Sequence, residues 1–266
     1  LDRITTAGVK EDWVDYNTGT ADPVFAACTD GSTMYWVTND AKNGKMRMEK
    51  KDISATSGTS STIMWTAAAA TSTVTRAAIG YVKQRIVLAA NNKIFEFPIS
   101  QSTEPTAIYT HPATDYIYTS ISESGSAIYV SGYRGIKSSI FKFTLDTTTG
   151  SMPVLTAPIT AAEMPYGEVV HKMFSYLGYL CIGTSKGIRI ANISDSTGSL
   201  TYGPLIETNQ PVYDFTAYDR FVWATAGTTN SQGIQEVGTV RIDLSVEIDT
   251  LRFAYSKDLH YDTPAV

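Results

Sequence analysis

Short runs of apolar residues alternate with polar residues along most of the chain, and Gly, Asn, Asp and Ser separate these runs. A period of two is typical of β-strands with one covered face, and the separating residues are those that tight turns need. The stretch 175–190, SYLGYLCIGTSKGIRI, contains an apolar run, a Gly-bearing turn and an alternating strand. It predicts a β-hairpin, and similar hairpins recur along the sequence.

The hairpins recur at a regular spacing. Residues 1–23 have no sustained period, and Pro23 separates them as a lead-in segment or as a piece that completes a neighbouring blade. From Val24 onward there are five rounds of four strands, in which equivalent points of the second strand recur every 42 to 52 residues. These points are Tyr35, Ile86, Ile128, Leu180 and Val222. Such a unit, of about 40 to 50 residues, is the size of a β-propeller blade.

We therefore expect an all-β fold, a β-propeller of four-stranded antiparallel blades. A lone four-stranded sheet leaves apolar faces uncovered, and radial stacking covers each face with the next blade. Five blades either close a ring or belong to a larger ring, and a β-sandwich is the alternative fold. The expected propeller domain is 24–266, with blades near 24–73, 74–114, 115–163, 164–209 and 210–262.

The fourth strands of the third and fifth rounds are predicted at 152–159 and 251–259. The final residues, HYDTPAV, have the pattern that leads to another first strand. Because the chain starts at Leu1 and not at Met, we expect a processed product or a piece of a longer polypeptide.

Composition excludes several classes of partner. Charged residues are only 18% of the 266 residues, and the net charge is -5 with no cluster of Lys and Arg, so we expect no nucleic-acid partner. No apolar run has the length of a membrane span, and no secretory signal opens the chain, so we expect no membrane insertion. Cys28 and Cys181 lie in apolar runs and are expected to be buried free thiols.

Motifs for catalysis or metal binding are weak. The three histidines, His111, His171 and His260, have no second His or Cys at ligand spacing, so we expect no metal and no cofactor. The sequence has neither a nucleophile elbow nor a phosphate-binding glycine motif, and we expect no catalytic residue and no enzyme. Four carboxylates could pair across a cleft as glycosidases require, but we expect each to be a solvated loop residue. They are Glu163, Glu168, Asp214 and Asp219.

The turns between the second and third strands of every blade lie at one end of a propeller. Aromatic faces, guanidinium groups and amides at these turns can bind a sugar or a peptide loop without catalysis. The candidates, which we call the rim residues, are Asn39, Asn91, Tyr133, Arg134 and Lys186. The alternative is that they are ordinary hydrophilic turn residues.

The fourth and fifth rounds contain more specific sequence. The segments GYLCIGTSKGIRIANI (178–193), LTYGPLI (200–206) and AYDRFVWATAG (217–227) resemble the propeller region of bacteriophage minor tail proteins, notably those of siphophages that infect actinobacteria. The resemblance covers roughly 165–245, and elsewhere it consists only of the blade pattern. It implies a structural component of a phage tail tip and assigns no functional residue.

The resemblance also implies a location and partners. The protein would be made in the host cytoplasm and reside in the virion, as a homo-oligomer within a hetero-complex of other tail proteins, with contact to a host-envelope glycan or protein. Two alternatives stay open: a propeller that binds or cleaves glycans, and a cellular propeller that serves as an interaction platform. Two carboxyl groups roughly 5 to 9.5 Å apart in a concave pocket would favour the glycan-cleaving enzyme.

Overall fold

The structure of the protein is a computed structural model. It describes residues 2–4, 9–14, 23–40, 42–69, 73–145, 155–193, 200–208, 210–229, 235–245 and 261–262. These residues form strands, turns and irregular segments, and none of them belongs to a helix that could cross a membrane. The chain divides into two compact units, unit 1 (1–118 and 147–155) and unit 2 (119–146 and 156–266).

The described residues of the lead-in segment form two paired strands and an attachment to the first four-stranded sheet. Strand β1 (Asp2–Ile4) pairs antiparallel with β2 (Lys10–Asp12). Just after β2, Trp13 is 3% exposed and packs against Trp36, with 6.4 Å between the ring centroids. The ammonium group of Lys51 lies over the Trp13 ring, 5.0 Å from its centroid, which adds a cation–π interaction.

Besides the pair β1–β2, the described residues of unit 1 form two four-stranded antiparallel sheets whose strands lie in chain order. The first sheet consists of β3 (Val24–Thr29), β4 (Thr33–Asn39), β5 (Met46–Asp52) and β6 (Thr62–Thr66). The second sheet consists of β7 (Ala77–Val82), β8 (Arg85–Ala90), β9 (Lys93–Phe97) and β10 (Ala107–Thr110).

The core of unit 1 lies between these two sheets. Because successive side chains of a strand point to opposite faces, every second residue of β4 and β8 enters this layer. Trp65 of β6 meets Phe97 of β9 edge to face, with 5.7 Å between the ring centroids. Buried members of the cluster include Tyr35, Val37, Met48, Ile86, Leu88 and Phe97. Burial of each such side chain contributes about 1.5 to 3 kcal/mol, so the packing of one sheet on the other stabilises both.

The described residues of unit 2 form three sheets. The third sheet of the chain consists of β11 (Ile117–Ser124, which begins in unit 1), β12 (Ala127–Arg134), β13 (Lys137–Thr144) and β14 (Ile159–Glu163). The fourth consists of β15 (Val170–Tyr176), β16 (Tyr179–Thr184), β17 (Gly187–Ile193) and β18 (Leu200–Tyr202), and a short β19 (Ile206–Glu207) also pairs with β17. The fifth consists of β20 (Val212–Tyr218), β21 (Phe221–Thr229), β22 (Gln235–Asp243) and β23 (Tyr261–Asp262).

The fourth sheet is covered on both faces. Leu180 and Ile182 of β16 belong to a cluster with the third sheet, whereas Cys181 belongs to a cluster with the fifth sheet. Burial raises the pKa of the Cys181 thiol to about 12. Burial, aided by the nearby Asp30 carboxylate, raises the pKa of Cys28 to about 12 as well. Both cysteines are free thiols, and Cys28 is half-buried where a buried thiol was expected.

The repeat seen in the sequence corresponds to a structural repeat. The five equivalent points each lie one or two residues into the second strand of their sheet, and each is at most 2% exposed. They are Tyr35, Ile86, Ile128, Leu180 and Val222. The hydrophobic spacing therefore arises because every sheet buries the same position near the start of its second strand.

Two outer strands differ from the prediction. The strand that pairs with β22 is Tyr261–Asp262, which lies inside the predicted fifth blade, 210–262, but after the predicted fourth strand of that blade. The predicted strand 251–259 lies outside the described residues. The fourth strand of the third sheet is Ile159–Glu163, whereas most of the predicted strand 152–159 precedes it. Outer strands have one uncovered edge, so their sequences carry a weaker pattern than the central strands.

Candidate functional site

One end of unit 2 gathers the turns between second and third strands together with a link between sheets. The N–H of Gly167 donates to the carbonyl of Ile136 at 3.1 Å, and the N–H of Ser185 donates to the carbonyl of Val169 at 2.8 Å. These bonds connect the link 164–169 to the turns of the third and fourth sheets. We call this region the turn end of unit 2; it comprises the turns 135–136 and 185–186, the link 164–169 and the first residues of β15 and β20.

Ser138 fastens the link from the side of the third sheet. Its carbonyl accepts a hydrogen bond from the N–H of Met164 at 2.9 Å, and its hydroxyl accepts one from the N–H of Val170 at 3.1 Å. The same hydroxyl donates to the carbonyl of Gly132 at 2.8 Å. Ser138 is only 2% exposed, so water cannot easily replace these bonds, and each contributes about 1 kcal/mol.

The fourth sheet fastens the same link with a hydroxyl and an ion pair. The hydroxyl of Ser185 accepts a hydrogen bond from the N–H of Val169 at 3.1 Å. The Nε and Nη2 groups of Arg189 donate to the two carboxylate oxygens of Glu168, each at 2.8 Å, and Nη1 donates to the carbonyl of Gly203 at 2.8 Å. Glu168 is 1% exposed, so the expectation of a solvated loop residue is wrong. A planar guanidinium can satisfy both oxygens of a buried carboxylate.

The fastened link displays one aromatic side chain. Residues 165–168 form a tight turn, because the N–H of Glu168 donates to the carbonyl of Pro165 at 3.0 Å. Gly167, at the third position of the turn, has a φ of 79°, which is typical of a type II turn and favours glycine. Tyr166, at the second position, is 73% exposed. A backbone held by two sheets therefore presents a phenol to solvent.

Three rim residues lie at this end of unit 2. Tyr133 and Arg134 end β12, where Tyr133 is half-buried and Arg134 is exposed. Lys186 is exposed, and its Nζ lies beside the turn 165–168. A Cβ atom built on Gly167 would be 3.7 Å from this Nζ. Ile136 is 47% exposed in the turn between β12 and β13. The turn end therefore combines aromatic and aliphatic surface with two cationic side chains.

The first residues of β15 and β20 add a second group to the turn end. The rings of His171 and Tyr213 lie 4.8 Å apart between centroids, and Tyr213 is 52% exposed. The Nζ of Lys172 lies 2.9 Å from a carboxylate oxygen of Asp214. Burial lowers the pKa of His171 below its ordinary value of 6.5. The imidazole is therefore neutral at pH 7 and keeps one nitrogen as a hydrogen-bond acceptor.

The two remaining rim residues hold a link in unit 1. The Nδ2 of Asn39 donates to the carbonyl of Val74 at 2.7 Å, and its Oδ1 accepts from the N–H of Val74 at 2.8 Å. The Oδ1 of Asn91 accepts from the N–H and the hydroxyl of Thr75, each at 3.0 Å, and its Nδ2 donates to the carbonyl of Thr73 at 2.8 Å. Both amides are thus engaged by segment 73–75. Sequence alone does not distinguish an asparagine that binds a ligand from one that binds backbone.

Sequence reasoning missed the two most exposed aromatic residues of the turn end. Tyr166 stands between Pro165 and Gly167, and this combination is a turn signal that could have identified it. Tyr213 lies in an ordinary alternating strand, so the sequence carries no sign of its exposure.

The four carboxylates considered for catalysis have different surroundings. Glu168 is paired with Arg189, and Asp214 is paired with Lys172. Asp219 occupies the hairpin between β20 and β21, and Glu163 ends β14. Within the described ranges, no three His, Cys, Asp or Glu side chains are placed to hold a metal ion.

Solved structures similar to this chain are β-propellers. The PQQ-bound aldose sugar dehydrogenase from Streptomyces coelicolor matches with a TM-score of 0.57 at 9% identity, over 89% of this chain and 86% of that one. A protein assigned as TolB from Agrobacterium tumefaciens gives 0.53 at 11% identity, over 85% and 78% of the two chains. The WD40 β-propeller domain of Doa1 gives 0.50 at 12% identity, over 86% and 68%.

At such low identity these similarities show the fold and nothing finer. The chain is an all-β protein, a β-propeller of four-stranded antiparallel blades. No protein-family model matches the sequence, and no curated protein matches it either.

Proposed function

We propose that this chain is a non-catalytic assembly and recognition module of a bacteriophage tail tip, a minor tail protein of the virion. The support from the sequence is the resemblance of segments 178–193, 200–206 and 217–227. The support from the structure is the turn end of unit 2. The single observation that carries the recognition role is Tyr166, which is 73% exposed on a turn that two sheets hold in place.

A rigid, exposed tyrosine suits binding for a physical reason. Ordering a flexible side chain or loop costs roughly 0.5 to 1.5 kcal/mol for each immobilised group when a complex forms. The turn 165–168 is already ordered by its own hydrogen bonds, so a partner that covers Tyr166 does not have to order this backbone. Tyrosine also offers a large apolar ring with one polar tip, which adapts to proteins and to sugars.

The neighbours of Tyr166 extend this surface. The guanidinium of Arg134 and the ammonium of Lys186 are donors for the hydroxyl, carboxylate or phosphate groups of an envelope polymer. Other tail proteins, and further copies of this chain, are the proposed partners inside the virion. The proposed partner outside it is a glycan or protein of the host envelope.

Labelling of intact particles tests the location. Antibodies raised against this chain and coupled to gold should label the tail tip in electron micrographs. Label confined to the capsid, or particles that carry none of the protein by mass spectrometry, would contradict the tail role and would favour a cellular interaction platform.

Binding to envelope fragments of the host bacterium tests the surface. The Tyr166→Ala variant should bind about tenfold more weakly than the unchanged chain, which corresponds to about 1.4 kcal/mol. The Arg134→Ala/Lys186→Ala double variant should also bind more weakly. Tyr218→Ala is the matched control, because Tyr218 is 78% exposed but precedes the hairpin at the opposite end of the fifth sheet. Equal loss in both tyrosine variants would remove the turn end from the proposal.

A further inference from the structure

Unit 1 contains a cleft of about 250 Å³ that lies beside the second sheet. Sites for drug-sized ligands have volumes of roughly 300 to 1,000 Å³, so this cleft has the size for one smaller molecule. Its lining includes Met46, Asn92, Lys93, Phe95, Glu104 and Pro105.

The floor of the cleft is apolar and rigid. Met46 is 3% exposed and Phe95 is 5% exposed, and both belong to the hydrophobic core of unit 1. Ala90 and Ala107 complete this surface. A ligand with an apolar face can therefore pack against residues whose positions the core already determines.

Two polar side chains of the cleft are each oriented by one hydrogen bond. The Nδ2 of Asn92 donates to the carbonyl of His111 at 2.8 Å, and the Oε2 of Glu104 accepts from the N–H of Ala68 at 2.8 Å. Within the part of the chain that the structure describes, the second polar atom of each side chain has no protein partner. The Oδ1 of Asn92 and the Oε1 of Glu104 are thus preoriented acceptors.

Lys93 supplies a donor at the same cleft. It is exposed, and its ammonium forms no ion pair with any described residue. The cleft therefore joins two acceptors and a cationic donor to an apolar floor. Each group has hydrogen-bonding capacity that the protein itself does not use.

We propose that this cleft binds one pyranose ring of a neutral sugar. Ring hydroxyls both donate and accept, so neighbouring hydroxyls can donate to Glu104 and Asn92 and accept from Lys93. The C–H face of the ring packs on the floor formed by Met46 and Phe95. The open side of the cleft leaves the remaining hydroxyls hydrated. This site is independent of the tail-tip role, because it uses none of the residues of the turn end.

The test is an NMR titration of the full chain with methyl-labelled Met and Ala. The probes are methyl α-glucopyranoside, methyl β-galactopyranoside, methyl α-mannopyranoside and N-acetylglucosamine, followed by glycine and serine as zwitterionic competitors. At least one sugar should shift the methyl signals of Met46, Ala90 and Ala107 in a saturable way, with a Kd on the order of millimolar. Saturation by no sugar, or by the amino acids alone, would overturn the proposal.

Two variants test whether the sugar binds through the polar groups of the cleft. Glu104→Gln keeps an oxygen for the Ala68 N–H but replaces the free acceptor by a donor, and Lys93→Met removes the ammonium at similar length. Each should weaken sugar binding about fivefold to tenfold. Lys42→Met is the matched control, since Lys42 is exposed and does not line the cleft. Unchanged affinity in both cleft variants would show that the sugar does not use these groups.

Discussion

The links that precede β7 and β15 perform the same task with different chemistry. In unit 1, the amides of Asn39 and Asn91 hold segment 73–75 by its backbone groups. In unit 2, the hydroxyls of Ser138 and Ser185 hold the link 164–169, and the buried Glu168–Arg189 pair secures it further. Both arrangements satisfy backbone N–H and C=O groups that a link between packed sheets would otherwise leave unpaired.

The residues that hold each link determine which side chains remain at the surface for a partner. In unit 1 the side chains that hold the link are the turn asparagines themselves, so their amides are occupied. In unit 2 one fastening group, Ser185, is a half-buried turn residue, whereas Ser138 and Glu168 are buried beneath the turns, at 2% and 1% exposure. Tyr166 and Lys186 therefore remain at the surface. Equivalent positions in a repeat can thus differ in function because the backbone is satisfied by different residues.

The largest loss in the free energy of unfolding is expected from Glu168→Ala. The change leaves the buried guanidinium of Arg189 without its carboxylate, and removal of one partner of a buried ion pair costs about 3 kcal/mol or more. Urea denaturation should show the loss in the free energy of unfolding, and hydrogen exchange should place it in unit 2. The double variant Glu168→Leu/Arg189→Met, which removes both charges, should lose far less. A loss below about 1 kcal/mol for Glu168→Ala would show that the ion pair does not secure the link.

Substitution of the two asparagines of unit 1 should cause a smaller loss of stability, and the loss should be larger at Asn39 than at Asn91. Asn39→Ala leaves the N–H and carbonyl of Val74 unpaired in a buried site, and we expect a loss of about 2 kcal/mol. At Asn91, loss of the amide should cost about 1 kcal/mol, because water can reach its partners, and Asn91→Ala adds backbone strain of roughly 1 kcal/mol to that loss. Asn91 has a φ of 53°, so Asn91→Gly is a control that removes the amide without backbone strain. Equal losses in Asn39→Ala and Asn91→Gly would contradict the role assigned to burial.

As the pH falls, protonation of His171 should reduce the stability of unit 2 before protonation of Asp30 reduces the stability of unit 1. Burial lowers the pKa of folded His171 below 6.5, so the unfolded chain binds more protons as the pH falls through that value. Stability is therefore full above about pH 6.5 and declines below it, and His171→Gln should reduce this decline. Hydrogen exchange of β15 amides between pH 8 and pH 5 measures the effect. An unchanged slope in the variant would exclude His171 as its source.

The carboxyl of Asp30, in the turn between β3 and β4 of unit 1, takes up its proton at lower pH. Partial desolvation acts against the shift, but hydrogen bonds from Thr33, Ser32 and Tyr35 lower the pKa of its carboxyl to about 2. Its contribution is full above the ordinary value of 3.8 and is lost as the pH falls from there towards 2. Asp30→Asn should remove this dependence from the β3 and β4 amides and leave unit 2 unaffected.

The fold could be predicted from the sequence because the same pattern of buried residues repeats in every sheet. Every sheet buries a residue near the start of its second strand, so the positions of Ile86, Ile128 and Leu180 show the same apolar spacing. The outer strand Tyr261–Asp262 could not be placed, since an edge strand carries little pattern. For the same reason, strand boundaries were less predictable than the number of sheets.

The candidate site could be predicted only in part. The turn positions of Arg134 and Lys186 followed from topology, but the partners of a side chain depend on contacts between residues distant in the sequence. Glu168 looked like a loop residue because Arg189 lies 21 positions away. Asn39 looked like a free turn residue because its partner Val74 lies 35 positions away. Neither contact leaves a mark in the local sequence.

The smallest effect on stability is expected from Tyr166→Ala, and this is the sharpest test of the difference between the two links. An exposed side chain on a turn held by other groups contributes little to folding, so the free energy of unfolding should change by less than about 0.5 kcal/mol. Urea denaturation measures this value, and envelope binding by the same preparation should fall about tenfold. A loss of stability near that of Asn39→Ala would mean that Tyr166 helps to hold its link. The turn end of unit 2 would then resemble the link of unit 1, and its surface would no longer be free for a partner.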